Sequence, residues 1–527
     1  MEVFIFLISL MFLFMLIVVS MIPYLNVSFN IMEWDFISLK FNLYYNSILF
    51  SFILMVVTMS VLLYSTFYLN SELNFSYFCF ILLLFVGSMF LLNFSNSVFT
   101  MMLSWDLLGI TSFFLVLFYN NWDSCSGAMN TVLMNRLGDY FMFVFFSSSV
   151  FSGYYFLSFS YFNYYMVVLL VLTAFTKSAQ FPFSSWLPKA MSAPTPVSSL
   201  VHSSTLVTAG LILLGNFNYL LMHKNVLSML LLFGIFTMFF SSVAALVEED
   251  LKKVVALSTL SQMGFSIMTM GLGLGFISLI HLVSHALFKS CLFMQVGYFI
   301  HSSFGQQDGR SYNNNGNLPY FVQLQMVVTL FCLCGLIFTS GCVSKDLILE
   351  MFFYNNFMMF LSIMFFFSVF LTFGYSYRMW KSLYLSFNNV FSHFSSSIMM
   401  NFLSLILVLM SIMFLWWLNL NMLNIPSMFL LLDFYTPLMY LSMIILISFV
   451  CLKILSKELI YKFFLDYFAK VFPYKLKNMK FMDLMLNNMI SMNFNLSGML
   501  SNTINLIMKG SYYNNLVLIM ILMFIMF

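Results

Sequence analysis

Charge is scarce in this sequence: only 7% of its 527 residues are Asp, Glu, Lys or Arg, and the arginines are confined to Arg136, Arg310 and Arg378. A water-soluble core of that length would need several times as much charge to cover its surface. A net charge of +3 is too small to draw the chain to nucleic acid. The seven cysteines mostly lie inside apolar runs, without the paired spacing of zinc or iron–sulfur ligands. They read as buried free thiols, and no metal site is expected. The opening MEVFIFLISLMF is neither a basic amphipathic transit peptide nor a signal peptide with a small-residue cleavage site. A nucleophile triad, a phosphate loop and a dinucleotide fingerprint are also missing, so no catalytic residue is assigned.

What fills the chain is hydrocarbon. Hydrophobic residues make up 62% of it, with 70 Phe and 46 Met, and the mean hydropathy is +0.99. Apolar runs follow one another almost without pause, each long enough to cross a hydrocarbon layer of roughly 30 Å. The short alternating segments of a closed barrel do not appear, so the fold class is all-α, a polytopic transmembrane bundle. About fifteen spans are expected, near 3–22, 43–68, 77–93, 96–118, 131–152, 161–179, 194–216, 226–247, 252–271, 275–300, 320–354, 357–378, 398–419, 435–455 and 511–527. Heavy use of Phe, Met, Leu, Ile and Asn with little Ala or Arg points to an AT-rich organellar gene, whose product needs no import signal.

Two segments look interrupted. After Lys177 comes SAQFPFSSWLPKAM, where Pro182 and Pro188 break helical hydrogen bonding, and 320–354 contains TSGCVSKD with Gly341. Discontinuous helices in two halves of a chain point to paired functional sites and inverted repeats. The far end differs again. Seven lysines lie between Lys453 and Lys480, and Glu458/Lys462 and Asp466/Lys470 stand four apart. That spacing makes an amphipathic helix lying along a surface; an ordinary solvated linker is the alternative.

A charge at mid-membrane costs about 2.5–3.5 kcal/mol on insertion scales and usually marks an ion or proton pathway. Asp106 sits in FTMMLSWDLLGITSFFLVLF, where it either locks two helices by pairing with a lysine or takes part in transfer. Arg136 and Asp139 are three apart on one helix face and can neutralise each other. Lys177 ends an apolar run, and desolvation of an unpaired ammonium suits it to carrying a proton. His202 lies in the polar-lined PTPVSSLVHSSTLVTAG. His281, His285 and Lys289 fall at i, i+4 and i+8, so three titratable groups share one helix face at steps of about 6 Å. Lys345 and Asp346 lie in the second broken segment. Glu248, Glu249, Asp250, Lys252 and Lys253 form a loop-to-helix junction that is either part of the same series or a helix start favoured by the dipole.

Several of these segments together resemble one family. WDLLGITSFFL (105–115), NRLGD (135–139), the block from KSAQ to VTAG (177–210), DLKKVVALSTLSQMG (250–264), HLVSHALFKSCLF (281–293), QQDGR (306–310) and SKD (344–346) are similar to the antiporter-like membrane-arm subunits of respiratory complex I. The KSAQ-to-VTAG block resembles the chain 5 branch rather than the chain 2 and chain 4 branches. The family usually has Glu at Asp106 and Gly at Thr176, and one N-terminal helix of its layout is absent here. The resemblance implies N-terminal spans (1–76), two antiporter-like repeats (77–216 and 217–380), C-terminal spans (381–455), a lateral helix (456–510) and a terminal span (511–527). It implies a subunit of the proton-translocating NADH:ubiquinone reductase of the mitochondrial inner membrane. Flavin, iron–sulfur clusters and ubiquinone would lie elsewhere in that complex, and the neighbours here would be lipids and other membrane-arm subunits, notably the chain 4 type. A proton would pass from an Asp106/Lys177 pair, tuned by Arg136 and Asp139, through His202, His281, His285 and Lys289 toward Lys345. A stand-alone Mrp-type cation/proton antiporter and a pure scaffold are the alternatives.

Overall fold

The computed structural model describes residues 27–34, 37–70, 72–151, 164–312, 320–336, 339–354, 359–384 and 405–412. The expected spans at 3–22, 435–455 and 511–527, most of that at 398–419, and the lateral helix at 456–510 lie outside the described residues. Among the described residues, each apolar segment expected between 43 and 378 corresponds to a helix or a broken pair of helices. The helices are α1 (Tyr45–Tyr68), α2 (Phe75–Phe94), α3 (Val98–Val116), α4 (Trp122–Phe151) and α5 (Tyr164–Lys177). Then come α6 (Thr195–Asn216, containing a π turn at Val201–Thr205), α7 (Lys224–Val247), α8 (Leu251–Gly271) and α9 (Gly275–Ser302). α10 (Tyr320–Cys334), α11 (Ser340–Tyr354) and α12 (Met359–Tyr384) follow. Among the described residues, eight helices are long and apolar enough to cross a membrane.

An element outside the helical reading precedes them. β1 (Val27–Trp34) and β2 (Ile37–Leu43) form an antiparallel ribbon. Apolar and polar residues largely alternate along ISLKFNL, the period of a strand rather than a helix. Asn96 N–H donates to the Lys40 carbonyl (3.0 Å), which ties the ribbon to the turn before α3.

Burial sorts the helices into layers. α8 is wholly buried and α6, α9 and α1 nearly so, whereas α2, α3, α7 and α12 bury about half of their spans. Of the inner helices, α1, α6 and α8 are also rich in Ser and Thr. Along α8, Ser258, Thr259, Ser261, Ser266 and Thr269 each donate to a carbonyl three residues back. That bond satisfies the hydroxyl where no water competes and leaves its lone pairs free to accept.

Glycine sets the closest approach. A Cβ on Gly271 of α8 would lie 2.5 Å from Leu231 N on α7, and one on Gly234 2.7 Å from Met268 N, so the two backbones touch.

Both expected breaks are present, and both close the same way. α5 ends with Ala179 at φ +54° and Gln180 N–H donating to the Phe175 carbonyl (3.0 Å). α10 ends with Gly335 at φ +78° and Leu336 N–H donating to the Phe331 carbonyl (3.0 Å). This is the six-to-one cap built around a left-handed residue.

Gly271→Ala should lower the stability of the folded chain by about 1–3 kcal/mol, because backbone rather than a movable side chain blocks the new methyl. Gly109→Ala, in a span but with nothing within 4 Å, should be neutral or slightly stabilising. Thermal denaturation of the two variants in detergent checks the difference.

Candidate functional site

The first charged group is built on Trp105. Adjacent helical residues point about 100° apart, so when Trp105 of α3 turns into the bundle, Asp106 is left at its flank. Lys177, buried at the end of α5, donates to the Trp105 carbonyl (2.6 Å) and stands 3.8 Å over the indole ring. The indole N–H in turn donates to Asp139 Oδ1 (2.9 Å), whose other oxygen is 3.1 Å from Arg136 Nη1. Asp106 lies 3.5 Å from Arg136, and this pair is partly exposed, at 36% and 47%. The geometry therefore differs from a direct Asp106/Lys177 pair. The acid joined to the lysine's surroundings is Asp139, through the indole, while the short Asp106 reaches the outward arginine. Met102, Trp105, Asp106, Asp139, Met142 and Phe143 line a small cleft here, with space of about 10 Å³ for a water-sized body.

Close helix approach makes this arrangement possible. A Cβ on Gly138 would lie 2.0 Å from Thr176 Oγ1, so α4 and α5 meet beside Lys177 through the glycine of NRLGD. The threonine standing where the family has glycine is accommodated there.

From Lys177 the polar line continues through the break. Trp186 Nε1 donates to the Thr176 carbonyl (3.0 Å), and the Trp186 ring lies 6.0 Å from that of His202. His202 sits on the π turn of α6, a local widening that recurs at functional sites. It is buried, and neither ring nitrogen has a partner among the described residues. The turn packs on α8 and α9.

On α9, His281, His285 and Lys289 are all buried on one face. His281 Nδ1 lies 3.0 Å from Ser344 Oγ of α11, and Lys289 donates to Ser258 of α8. His285 has no partner for either nitrogen among the described residues. Lys345 donates to the Leu333 carbonyl at the end of α10 (2.5 Å) and lies 5.9 Å from the Phe265 ring, which packs at 5.3 Å on His281. Asp346, next to it, accepts from Cys342 Sγ (2.9 Å).

The junction residues separate from this line. Lys253 pairs with Asp250, and Arg310 with Glu249, both partly exposed. Gly309 N–H donates to the Glu249 carbonyl and Leu251 N–H to that of Gln307, both at 3.0 Å, so QQDGR clamps the α7–α8 turn. Lys252 alone turns inward, donating to the Ala193 carbonyl (3.3 Å). Reading charges in isolation missed Trp105, Trp186, Ser258 and Ser344. The signal for Trp105 was its place beside Asp106 as the one indole of that run; the serines carried none. Among the described residues, no three of His, Cys, Asp and Glu come together to hold a metal ion.

A helical bundle with two broken spans, each bringing a buried lysine to a helix carbonyl, belongs to the class of antiporter-like membrane proteins. Residues 95–372 match the family described as NADH:quinone oxidoreductase/Mrp antiporter, TM. The chain is 70% identical over 524 residues to NADH-ubiquinone oxidoreductase chain 5 of Caenorhabditis elegans, covering 99% of each. It is 61% identical over 525 residues to that of Ascaris suum, covering 99% of this chain and 96% of the other. The fold is similar to a chain in the structure of the Mrp complex from Dietzia sp. DQ12-45-1b (TM-score 0.73, 22% identity, 98% of this chain and 58% of that one). It is also similar to one in the archaeal membrane-bound sulfane sulfur reductase (TM-score 0.70, 16% identity, 79% and 89%). This chain belongs to the NADH-ubiquinone oxidoreductase chain 5 family.

Trp105→Phe keeps a ring under the Lys177 ammonium but removes the N–H that holds Asp139. The assembled complex should lose proton flux by about tenfold or more. Proton uptake by proteoliposomes measures this, and undiminished flux would remove Trp105 from the site.

Proposed function

We propose that protons cross this subunit along the line Asp139–Trp105–Lys177, Trp186–His202, and His281, His285, Lys289 and Lys345. The chain is a proton-translocating subunit of the membrane arm of NADH:ubiquinone oxidoreductase, in a respiratory membrane. Electron transfer, with its flavin, iron–sulfur clusters and ubiquinone, takes place in other parts of the complex. The observation that carries the reading is the lysine at each helix break: Lys177 and Lys345, both buried, donate to the Trp105 and Leu333 carbonyls. An ammonium in that position is bound strongly enough to exist and weakly enough to release a proton when an acid moves. Asp139, tied to the indole and to Arg136, is the acid placed to do so, with Asp106 acting on Arg136 from outside. Lys252, through its inward turn, and Asp346 serve the ends of the route, while Lys253, paired outside with Asp250, stands off it.

The outer face of α3 and α4 supports a partner. Leu107, Ile110, Leu133, Leu137 and Phe143 are exposed around the Asp106–Arg136 pair. An ion pair facing lipid is costly, so this face suits a neighbouring subunit, and we assign it to the chain 4 antiporter-like type, with lipid elsewhere. The complex belongs in the mitochondrial inner membrane, with this chain encoded in the organelle.

Lys177→Met keeps the helix end apolar and inserted. Proton translocation should fall by at least about tenfold, and NADH:ubiquinone turnover with it if coupling is tight. A normal proton-to-electron ratio in proteoliposomes carrying the variant complex would take Lys177 off the path.

A further inference from the structure

At one end of the bundle the last turn of α1 and the first turn of α6 pack against α9, and hydroxyls fill the seam. The buried Tyr64 hydroxyl lies 2.9 Å from Thr195 Oγ1. Tyr68, one turn on and half-buried, brings its ring to 5.7 Å from that of Tyr64. Its ring packs at 5.6 Å on His301, whose imidazole belongs to an exposed residue near the end of α9. The seam is cut to this shape on its third side as well. A Cβ on Gly297 would lie 2.1 Å from the Tyr64 oxygen and 2.8 Å from Thr195 Oγ1, so only glycine lets the phenol reach the threonine.

Inward from Thr195, Ser198, Ser199 and His202 follow at steps of three or four on one face of α6. Both serines are buried and donate to their own helix, at the Thr195 and Pro196 carbonyls (2.8 Å each), which leaves oxygen lone pairs open. The line ends on His202, buried and with neither nitrogen partnered among the described residues. A buried imidazole without partners is costly and calls for an explanation beyond packing. A route ending on it supplies one.

We infer that this seam is a proton access route, in which His301 and Tyr68 form the mouth and Tyr64, Thr195 and the α6 serines relay to His202. The inference rests on the proton-translocating reading above and extends it to the surface. A hydroxyl accepts a proton on a lone pair while releasing the one it carries, so each hop between hydroxyls forms one O–H bond and breaks another and leaves them neutral. The last hop forms an N–H bond on His202, which holds the positive charge until it passes a proton on. Nothing is oxidised or reduced. Tyr119 and Tyr312 are in electrostatic contact with Tyr68 from neighbouring elements, and they in turn with Glu72 and Asp308. Asp308 stands 3.9 Å from Arg310, which partly balances its charge.

The test uses the whole complex in proteoliposomes with a pH-sensitive dye. Thr195→Val is nearly isosteric but cannot relay, Thr195→Ser keeps the hydroxyl, and Tyr64→Phe removes the phenol alone. Thr195→Val and Tyr64→Phe should slow proton translocation by about tenfold or more, with full-size complex on native gels, and Thr195→Ser should restore the rate. If Thr195→Val fails to assemble, Tyr64→Phe decides. Full-rate translocation by assembled Tyr64→Phe overturns the route, and so does Thr195→Ser pumping no better than an assembled Thr195→Val. Lys177→Met, run in parallel, separates the two claims. Blocked flux there with normal flux in Tyr64→Phe ends the route alone; normal flux in both ends the proton-path reading as well.

Discussion

An ammonium ion held away from water inside a bilayer-thick bundle must find its compensation within a few ångström, and around Lys177 that requirement organises three helices. The lysine takes a carbonyl and a ring face from Trp105, and the same indole holds Asp139. One side chain thus places an acid near the cation without letting them collapse into a tight ion pair. Direct contact would lock the proton in place, because breaking a buried pair is strongly unfavourable. Spacing the charges through an aromatic ring keeps the attraction while leaving it adjustable. Gly138 permits this by letting α4 come within contact of Thr176.

The second half repeats the physics with different parts. A helix that stops inside the membrane leaves carbonyls without intrahelical donors, at the negative end of its dipole. Lys345 reaches back from α11 to the Leu333 carbonyl at the end of α10, and Lys177 stands at the corresponding place on α5, two residues before the left-handed cap residue. Between the halves lie α6, α8 and α9, the most buried helices, carrying His202, His281, His285 and Lys289 among Ser and Thr hydroxyls. Apolar outer helices surround this strip, and the low dielectric they provide keeps its interactions strong. Pumping needs groups strongly coupled to one another, and no short path around them.

Much of this was legible in the one-dimensional pattern. Run length located the spans because a helix that hides its own backbone is the only open-chain way across hydrocarbon. Proline located the first break, whereas the second falls at Gly335, six residues before the Gly341 that marked it, and Gly341 itself lies in α11. The rarity of charge made each of Asp106, Asp139, Lys177, His281, His285, Lys289 and Lys345 conspicuous. The β1–β2 ribbon was passed over because its residues are too apolar overall to stand out from their surroundings by composition. Only their alternation distinguishes them. The start of α4 fell nine residues before the expected 131, since the polar Asp123-to-Asn130 stretch contributes nothing to hydropathy yet its acid suits a first turn.

Sequence alone determined the membrane class, the helix order, the family and the list of titratable groups, because each is written in length, spacing or local chemistry. Which groups meet was decided only in three dimensions. Asp106 and Trp105 are neighbours in the chain, yet their directions on α3 send one outward to Arg136 and the other inward to Lys177 and Asp139. Lys252 and Lys253 are likewise adjacent, one buried against Ala193 and the other paired outside with Asp250. A helix turns about 100° per residue, so a difference of one position selects a different neighbour. What occupies that direction depends on segments brought together from 30 to 72 residues away.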